Sequence, residues 1–208
     1  MKKAPFIVID GGDGAGKSTQ LELLQKQYPD AIFTREPGGT PYAELNRKAV
    51  LSPEAKDVSS FAKILSFFSG RADHLESKVK PALEQGVMVI TDRFDSSSFA
   101  YQLWGTDRQD LIPQFKWLRE EVVSICPPDL YVYLDVDPEV GMKRQADMKK
   151  VDMNYFDHSS VAEMNKRREG YLEFFKLIPE KHYIIDANQS IEEVYAELFG
   201  VIEELRAA

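Results

Sequence analysis

Short apolar runs alternate with longer amphipathic segments along the chain. Runs of strand length occupy Phe6–Asp10, Ala31–Thr34, Val87–Thr91, Leu130–Val136 and His182–Ile185. They are β-branched and nearly continuous in hydrophobicity, which is typical of strands covered on both faces. Segments of helical period lie at Ser18–Tyr28, Val58–Gln85, Gln109–Ile125, Pro138–Ala146, Ser159–Leu177 and Ile191–Arg206. This alternation predicts an α/β fold with a five-stranded parallel sheet wrapped by helices.

The predicted elements follow one another without a break. No internal repeat, low-complexity tract or linker separates them, so we expect a single domain over residues 1–208. Only Gln145–His158 departs from the rhythm, because it is polar and charged. We predict that this part of the chain, about residues 145–157, forms a mobile lid.

Composition narrows the range of partners. The formal net charge is −8, so bulk electrostatics would not hold this chain on nucleic acid or an anionic membrane. Cys126 is the only cysteine, which excludes an intrachain disulfide and a thiolate metal cluster. The N-terminal apolar run Phe6–Ile9 is too short for a signal segment or a membrane span. These features predict a soluble, cytoplasmic protein that binds a small ligand.

A glycine-rich loop follows the first predicted strand directly. It reads Gly11-Gly-Asp-Gly-Ala-Gly16-Lys17-Ser18 and leads into a helical segment, as the phosphate-loop (P-loop) pattern G-x-x-x-x-G-K-[ST] requires. Its glycines let backbone N–H groups approach phosphates, and the helix N-terminus favours the same anion. Lys17 is expected on the β- and γ-phosphates of a nucleotide, and the Ser18 hydroxyl on Mg²⁺. The predicted phosphate-binding residues are Gly11, Gly12, Asp13, Gly14, Ala15, Gly16, Lys17, Ser18 and Thr19.

Two further polar pairs lie at the ends of predicted strands. Arg35 and Glu36 follow the second strand, and Asp92 and Arg93 follow the third. Ligands of open α/β sheets bind at the carboxyl ends of the strands, so these side chains are aimed at one cleft. Asp92 is a candidate for holding Mg²⁺ through water, and Arg93 for gripping a phosphate with two N–H groups.

Three segments carry a more specific signal: Gly11–Thr19, Thr34-Arg-Glu-Pro-Gly-Gly-Thr-Pro41 and Asp92-Arg-Phe-Asp-Ser-Ser-Ser-Phe-Ala-Tyr-Gln102. Together with Phe67–Arg71, Leu134–Gly141 and Arg167–Tyr171, they resemble the thymidylate kinase family over nearly the whole chain. The resemblance implies a P-loop nucleoside monophosphate kinase fold. It also implies transfer of the γ-phosphate of ATP to dTMP with Mg²⁺. A homodimer is implied as well, for which the helical segments Ser59–Leu83 and Gln109–Val123 are the candidates.

The resemblance implies a site for the acceptor nucleotide. Its residues would be Arg35, Glu36, Phe67, Arg71, Arg93, Ser98, Tyr101 and Gln102. Phe67 would stack on the thymine ring and Arg71 would donate to a base carbonyl, with Ser98 and Gln102 completing the base edge. From the residues alone Phe67 also fits core packing, because it lies in an apolar helical segment.

The same resemblance assigns the sugar and phosphate of the acceptor. Tyr101 would lie under the sugar and disfavour a ribose 2′-hydroxyl. Arg93, helped by Arg35, would grip the acceptor phosphate. Asp13 would meet the acceptor's sugar or a metal-bound water.

The predicted lid departs from the family pattern. Thymidylate kinases carry a catalytic arginine either in the lid or at the P-loop position that is Gly14 here. Arg144, at the root of the lid, is the only arginine between Lys143 and Asp157 and is expected at the ATP phosphates. Lys149 and Lys150 are candidates for the missing cation, and solvated surface lysines are the alternative. The predicted catalytic residues are Lys17, Arg93, Asp13, Lys149 and Lys150.

Two other functions stay open at this stage. The acceptor could be a related deoxypyrimidine monophosphate such as dUMP, because one methyl group in a pocket is worth only about 1–3 kcal/mol. A protein that binds nucleotide but has a weakened lid is the other alternative. A GTPase is disfavoured, because no guanine-reading Asn-Lys-x-Asp segment follows a late strand.

Overall fold

Five parallel strands form one sheet in the computed structural model, which describes residues 4–147 and 159–207. The strands are β1 (Phe6–Gly11), β2 (Ile32–Arg35), β3 (Val89–Asp92), β4 (Leu130–Asp135) and β5 (His182–Asp186). Their spatial order is β2-β3-β1-β4-β5, with Ile9 of β1 in register with Asp92 and Val132. Because all pairs are parallel, the loops after β1, β2 and β3 meet at one edge of the sheet.

Helices connect the strands and cover both faces of the sheet. They are α1 (Lys17–Gln27), α2 (Pro41–Leu51), α3 (Ser60–His74), α4 (Lys80–Glu84), α5 (Asp95–Ser98), α6 (Ile112–Val123), α7 (Pro138–Asp147), α8 (Val161–Leu177) and α9 (Ile191–Ala207). A π-helical turn, Leu75–Val79, joins α3 to α4, and another, Phe99–Leu103, continues α5. Short 3₁₀ turns lie at Pro53–Ala55, Trp104–Thr106 and Gln109–Leu111. Within the described ranges, no helix combines the length and the apolar character that crossing a bilayer requires.

The alternation of side chains along β1 divides the core into two parts. Phe6 and Val8 belong to a cluster built with α3, α6 and α8, whereas Ile7 and Ile9 belong to a cluster built with α1 and α9. Successive side chains of a strand point to opposite faces, so the sheet lies between two helical layers. The predicted three-layer α/β/α fold is therefore confirmed.

All five predicted strands are present, and their ends shift by at most two residues. The prediction that every strand is covered on both faces is wrong for the outer strand β5, where Ile184 is 48% exposed. Helices cover the centre of the sheet and leave its outermost strands partly open. The central strands β1, β3 and β4 are buried as predicted.

Two helical stretches were not predicted, α2 and residues 95–106. The hydroxyl oxygen of Thr40 caps α2 by accepting the N–H of Ala43 at 3.1 Å, and Pro41 occupies the first helical position. Both features favour a helix start. The preceding Pro-Gly-Gly turn suggested a longer loop instead.

Candidate active site

The P-loop joins β1 to α1 through two glycines in the left-handed conformation. The φ angles of Gly14 and Gly16 are 79° and 83°, which non-glycine residues rarely adopt. The Lys17 side chain is buried, and its Nζ donates to the carbonyl oxygens of Gly11 at 2.8 Å and Gly12 at 3.3 Å. The ammonium group is therefore held on the loop itself, at the N-terminus of α1.

Gly14 packs directly on the backbone of Gly141 in the first turn of α7. A Cβ atom on Gly14 would lie 2.2 Å from the carbonyl oxygen of Gly141, and one on Gly141 would lie 2.6 Å from that of Asp13. Two backbones that meet this closely leave no room for a side chain. A catalytic cation for this site must therefore come from another element.

We predict that Gly14→Ala destabilises the protein by about 3 kcal/mol, the sum of left-handed strain and overlap with the α7 backbone. Gly86→Ala is the matched control, because Gly86 has a similar φ of 77° and nothing within 4 Å of its added Cβ. The free energy of unfolding of the control should fall by only about 1 kcal/mol, because the left-handed backbone strain is its only cost. Urea unfolding of both variants measures the difference, and equal losses would contradict the tight contact between Gly14 and Gly141.

Asp92 ends β3 beside the P-loop with an unsatisfied oxygen. Its Oδ1 is buried and has no hydrogen-bond partner within the described residues. Ser18 offers an exposed hydroxyl in the first turn of α1. No group of three metal-ligating side chains exists in the described part of the chain, but nucleotide-bound Mg²⁺ takes most of its ligands from water and phosphate. Asp92 and Ser18 therefore fit the predicted Mg²⁺.

Arg93 follows β3 in a left-handed conformation, with a φ of 68°. Its Nη2 donates to Asp13 Oδ1 at 3.0 Å, and its Nη1 donates to Ser97 Oγ and to Tyr171 Oη, each at 3.0 Å. Burial disfavours the cation, but the neighbouring tyrosines and Asp13 and Asp10 raise the pKa of Arg93 above its usual value. The guanidinium is thus a fixed positive charge that reaches the P-loop carboxylate.

Asp10 is a site residue that the sequence analysis missed. It is fully buried, and its Oδ1 accepts the hydroxyls of Ser97 at 2.9 Å and Tyr171 at 2.8 Å, while its Oδ2 accepts that of Ser96 at 2.6 Å. The same hydroxyls of Ser97 and Tyr171 accept hydrogen bonds from Arg93, so Asp10 helps to fix the guanidinium through these two hydroxyl groups. The sequence did contain an indication of this role, because a buried carboxylate inside an apolar strand requires hydrogen-bond or charge partners.

An open cavity of about 210 Å³ lies beside the P-loop. Its lining residues are Asp13, Glu36, Pro37, Arg47, Leu51, Phe67, Arg71, Arg93, Phe94, Ser97, Ser98, Tyr101 and Gln102. Every predicted acceptor residue except Arg35 is among them. The fold therefore brings the loop after β2, helix α3 and the segment after β3 around one space.

Arg35 was predicted at the acceptor site, but Arg47, which was not predicted there, lines the cavity in its place. Arg35 does not line the cavity, and its Nη2 donates to Glu44 of α2 at 3.3 Å with 55% of its side chain exposed. Arg47, on the unpredicted helix α2, lines the cavity instead and donates to the carbonyl oxygen of Pro37 at 2.8 Å. Burial and then the charge of Arg35 lower the pKa of Arg47, with a smaller effect in the same direction from Arg93. Arg47 and Arg93 therefore place two guanidinium groups in the lining of the cavity.

Arg71 lines the cavity and has one unpaired guanidinium nitrogen. Only 1% of the residue is exposed, and its Nε donates to Glu36 Oε2 at 2.7 Å while its Nη2 donates to Ser98 Oγ at 3.0 Å. Glu36 is held in turn by a 2.9 Å contact with His74 Nδ1. Nη1 of Arg71 is buried without a partner in the described residues, which is costly unless a ligand supplies an acceptor.

Phe67 and its neighbour Phe68 have different surroundings. Phe68 is 2% exposed and belongs to the core, whereas Phe67 is half-buried and lines the cavity. This division favours a base platform over core packing for Phe67, a role that stays a prediction.

The remaining predicted residues lie around the P-loop or beyond the described chain. Nη1 of Arg144 donates to the carbonyl oxygen of Ala187 at 2.7 Å and lies 3.5 Å from that of Gly14. Arg144 is therefore beside the P-loop at the end of α7. Lys149 and Lys150 lie outside the described residues, so their catalytic role stays a prediction.

A P-loop on a parallel sheet, with an arginine-rich cavity beside it, defines the class of P-loop phosphotransferases. Within that class, the chain belongs to the thymidylate kinase family, because the family model described as thymidylate kinase matches residues 9–198. The resemblance and fold class predicted from the sequence are thereby confirmed.

Individual relatives agree over nearly their full length. The thymidylate kinase of Hahella chejuensis is 39% identical over 202 residues, which are 95% of this chain and 95% of the relative. That of a Marinomonas species is 38% identical over 210 residues, which are 99% of this chain and 97% of the relative. The crystal structure of the thymidylate kinase from Ehrlichia chaffeensis matches with a TM-score of 0.71 and 28% identity, covering 97% of this chain and 99% of that one.

Proposed function

We propose that the chain transfers the γ-phosphate of ATP to dTMP, which gives ADP and dTDP. The observation that carries this proposal is the cavity beside the P-loop, which combines Phe67, the unpaired Nη1 of Arg71, and Arg93. An aromatic face, a free donor and a guanidinium are suited to a nucleobase, its carbonyl and a phosphate. Family membership supports thymidylate as the acceptor and ATP as the donor.

The donor would bind at the P-loop. Backbone N–H groups between Gly11 and Ser18 surround the phosphates, and Lys17 contacts the β- and γ-phosphates through its ammonium group. Arg144 lies beside Gly14 and adds a positive charge to the same region. Asp92 and Ser18 would hold Mg²⁺, which neutralises charge on the phosphate oxygens when bound.

The acceptor would bind in the cavity with its phosphate toward Arg93 and Arg47. Phe67 provides the face on which thymine stacks, and Arg71 Nη1 donates to a thymine carbonyl. Ser98 and Gln102 line the base edge, and Tyr101 and Asp13 face the deoxyribose.

Transfer needs positioning and charge more than acid–base chemistry. The acceptor phosphate is already an anion, so no general base is required. Lys17 and Arg93 hold the two phosphate ends in line, and cations stabilise the charge that develops on the oxygens. Lys149 and Lys150, which lie outside the described residues, are proposed to add such a charge.

A coupled ADP-release assay with a panel of nucleoside monophosphates tests the proposal. We expect turnover with dTMP to exceed that with dUMP by about tenfold or more, the worth of one methyl group in a fitted pocket. Turnover with dCMP, dGMP and UMP should be weaker still. Equal or better turnover with another monophosphate would replace dTMP as the substrate, and ADP release that ignores every acceptor would contradict the kinase assignment.

A homodimer through α3 and α6 is proposed as well. Phe61 and Leu65 on α3 are 39% and 43% exposed, and Trp117 on α6 is 60% exposed, which is unusual for such large apolar side chains. Light scattering of the purified chain should give twice the 23.7 kDa mass of one copy. A single 23.7 kDa species at micromolar concentration would contradict the dimer.

A further inference from the structure

Arg167 on α8 is a largely buried cation that no predicted role uses. Only 12% of its side chain is exposed. Its guanidinium carbon lies 4.5 Å from the centre of the Tyr101 ring, its Nη1 lies 3.9 Å from Asp13 Oδ2, and the same Nη1 donates to Ser159 Oγ at 2.6 Å. The guanidinium therefore contacts both residues that are proposed to face the deoxyribose.

Asp13 and Tyr101 form one unit between two arginines. The Tyr101 hydroxyl donates to Asp13 Oδ2 at 3.0 Å, while Arg93 donates to Asp13 Oδ1 at 3.0 Å. Burial would raise the pKa of Asp13, but the charges of Arg93, Lys17 and Arg167 together hold it below its usual value. The carboxylate thus stays ionised with one arginine on each side.

The two arginines occupy different spaces. Arg93 lines the acceptor cavity, whereas Arg167 lines a smaller cavity that shares Asp13 and Tyr101 with it and also includes Tyr133 and Met164. Arg167 is therefore absent from the surface that the acceptor would contact. Within the described residues, its contacts with the carboxylate of Asp13 and the ring of Tyr101 connect it to the acceptor cavity.

We propose that Arg167 is a positioning residue that fixes Tyr101 and Asp13 against the acceptor sugar and so helps to exclude a 2′-hydroxyl. The inference rests on the proposed function, because it requires a deoxynucleotide in the cavity. A planar guanidinium can stack on an aromatic ring and attract a carboxylate at the same time, which a lysine cannot do equally well. Without it, the ring gains freedom to move and the space under the sugar is less well defined.

Steady-state kinetics of Arg167→Met and Arg167→Lys test the proposal. We expect Arg167→Met to raise the KM for dTMP about tenfold, the scale of a lost buried cation–π contact, with the KM for ATP unchanged. The same variant should use the ribonucleotide counterpart, 5-methyluridine monophosphate, relatively better, so that the ratio of kcat/KM for the two acceptors falls. Arg167→Lys keeps the charge without the flat stacking surface, and its values should lie between those of Arg167→Met and the unmodified chain.

Lys166→Met is the matched control on the same helix. The Lys166 ammonium group pairs with Asp107 at 2.6 Å on the exposed surface, so its loss should leave both KM values and the acceptor ratio unchanged. Thermal unfolding of each variant identifies loss of folding, and Arg167→Lys decides the question if Arg167→Met does not fold.

Two outcomes would overturn the inference. An unchanged acceptor ratio and KM for dTMP in a folded Arg167 variant would show that the residue positions nothing at the sugar. A change confined to the KM for ATP would place its action on the donor side. Absence of dTMP turnover in the unmodified chain would instead overturn the proposed function, and this inference with it.

Discussion

Replacing Lys17 by alanine is expected to lower kcat by about 10³-fold or more while the chain stays folded, because a group that stabilises developing charge is lost. Burial, followed by the charge of Arg93, lowers the pKa of Lys17, and the carboxylates of Asp92, Asp13 and Asp10 counteract this. The net result of burial and these charges is a pKa of Lys17 below its usual value. No other described side chain donates to the P-loop carbonyl of Gly12.

The stability of the fold should not depend on this lysine. Within the described residues, its Nζ donates hydrogen bonds only to the carbonyl oxygens of Gly11 and Gly12. These contacts and the nearby carboxylates offset the cost of burying the ammonium group only in part, so Lys17 contributes little favourable free energy to folding. We therefore expect Lys17→Ala to unfold at a temperature close to that of the unmodified chain.

The coupled ADP-release assay, combined with circular dichroism, measures both expectations. Lys26→Ala is the control, because Lys26 is exposed in the last turn of the same helix α1 and should leave kcat unchanged. Near-normal turnover in folded Lys17→Ala would contradict the assigned role of the P-loop.

Arg93→Ala is expected to lower kcat/KM for dTMP by about 10³-fold, because removing one partner of a buried charge contact costs about 2–5 kcal/mol. The effect should appear as a raised KM for dTMP and a reduced kcat, since the guanidinium would hold the phosphate in line for transfer. The KM for ATP should change much less. This asymmetry follows from the position of Arg93, which lines the acceptor cavity.

Part of the expected loss of activity in Arg93→Ala arises from contacts within the protein rather than from contacts with the substrate. Arg93 binds Asp13 at 3.0 Å and lies 3.7 Å from the fully buried Asp10, so alanine leaves two carboxylates with less compensation. Arg93→Lys retains a positive charge without the planar fork and should recover only part of the activity. Comparison of Arg93→Ala with Arg93→Lys separates the effect of losing the positive charge from the effect of losing the planar guanidinium.

The exposed Arg108 supplies the matched control for Arg93. Its guanidinium pairs with Asp110 at 2.7 Å, 40% of its side chain is exposed, and Arg108→Ala should leave both KM values unchanged. If Arg93→Ala altered only the affinity for ATP, the assignment of separate donor and acceptor sites would be wrong.

Local patterns in the sequence predicted the sheet and the P-loop well. Apolar runs of strand length identify β1 to β5, because a buried strand must be apolar over consecutive residues. The P-loop is one contiguous segment between Gly11 and Ser18, and its chemistry depends on neighbours in the chain. Helix α2 was missed although Thr40 and Pro41 carry a start signal, because the turn before it has the composition of a loop.

Local sequence patterns could not predict the contacts between segments that are far apart in the chain. Asp10 meets Tyr171 across 161 residues, and Tyr101 meets Asp13 across 88. Arg47 reaches the acceptor cavity only because α2 exists, and Arg167 reaches Asp13 only because α8 packs beside the segment after β3. Nothing in the local sequence around Arg47 distinguishes it from a surface arginine.

The sequence by itself determined the five strands, most of the helices between them, the phosphate-binding loop and the family resemblance. These depend on consecutive residues, whose period, glycine positions and side-chain chemistry act locally. Only the tertiary structure decided which arginines face the acceptor cavity, why position 14 admits no side chain, and which donor of Arg71 is left for a ligand. Those properties arise when elements far apart in the chain pack together, because burial and hydrogen-bond partners are set by the whole fold.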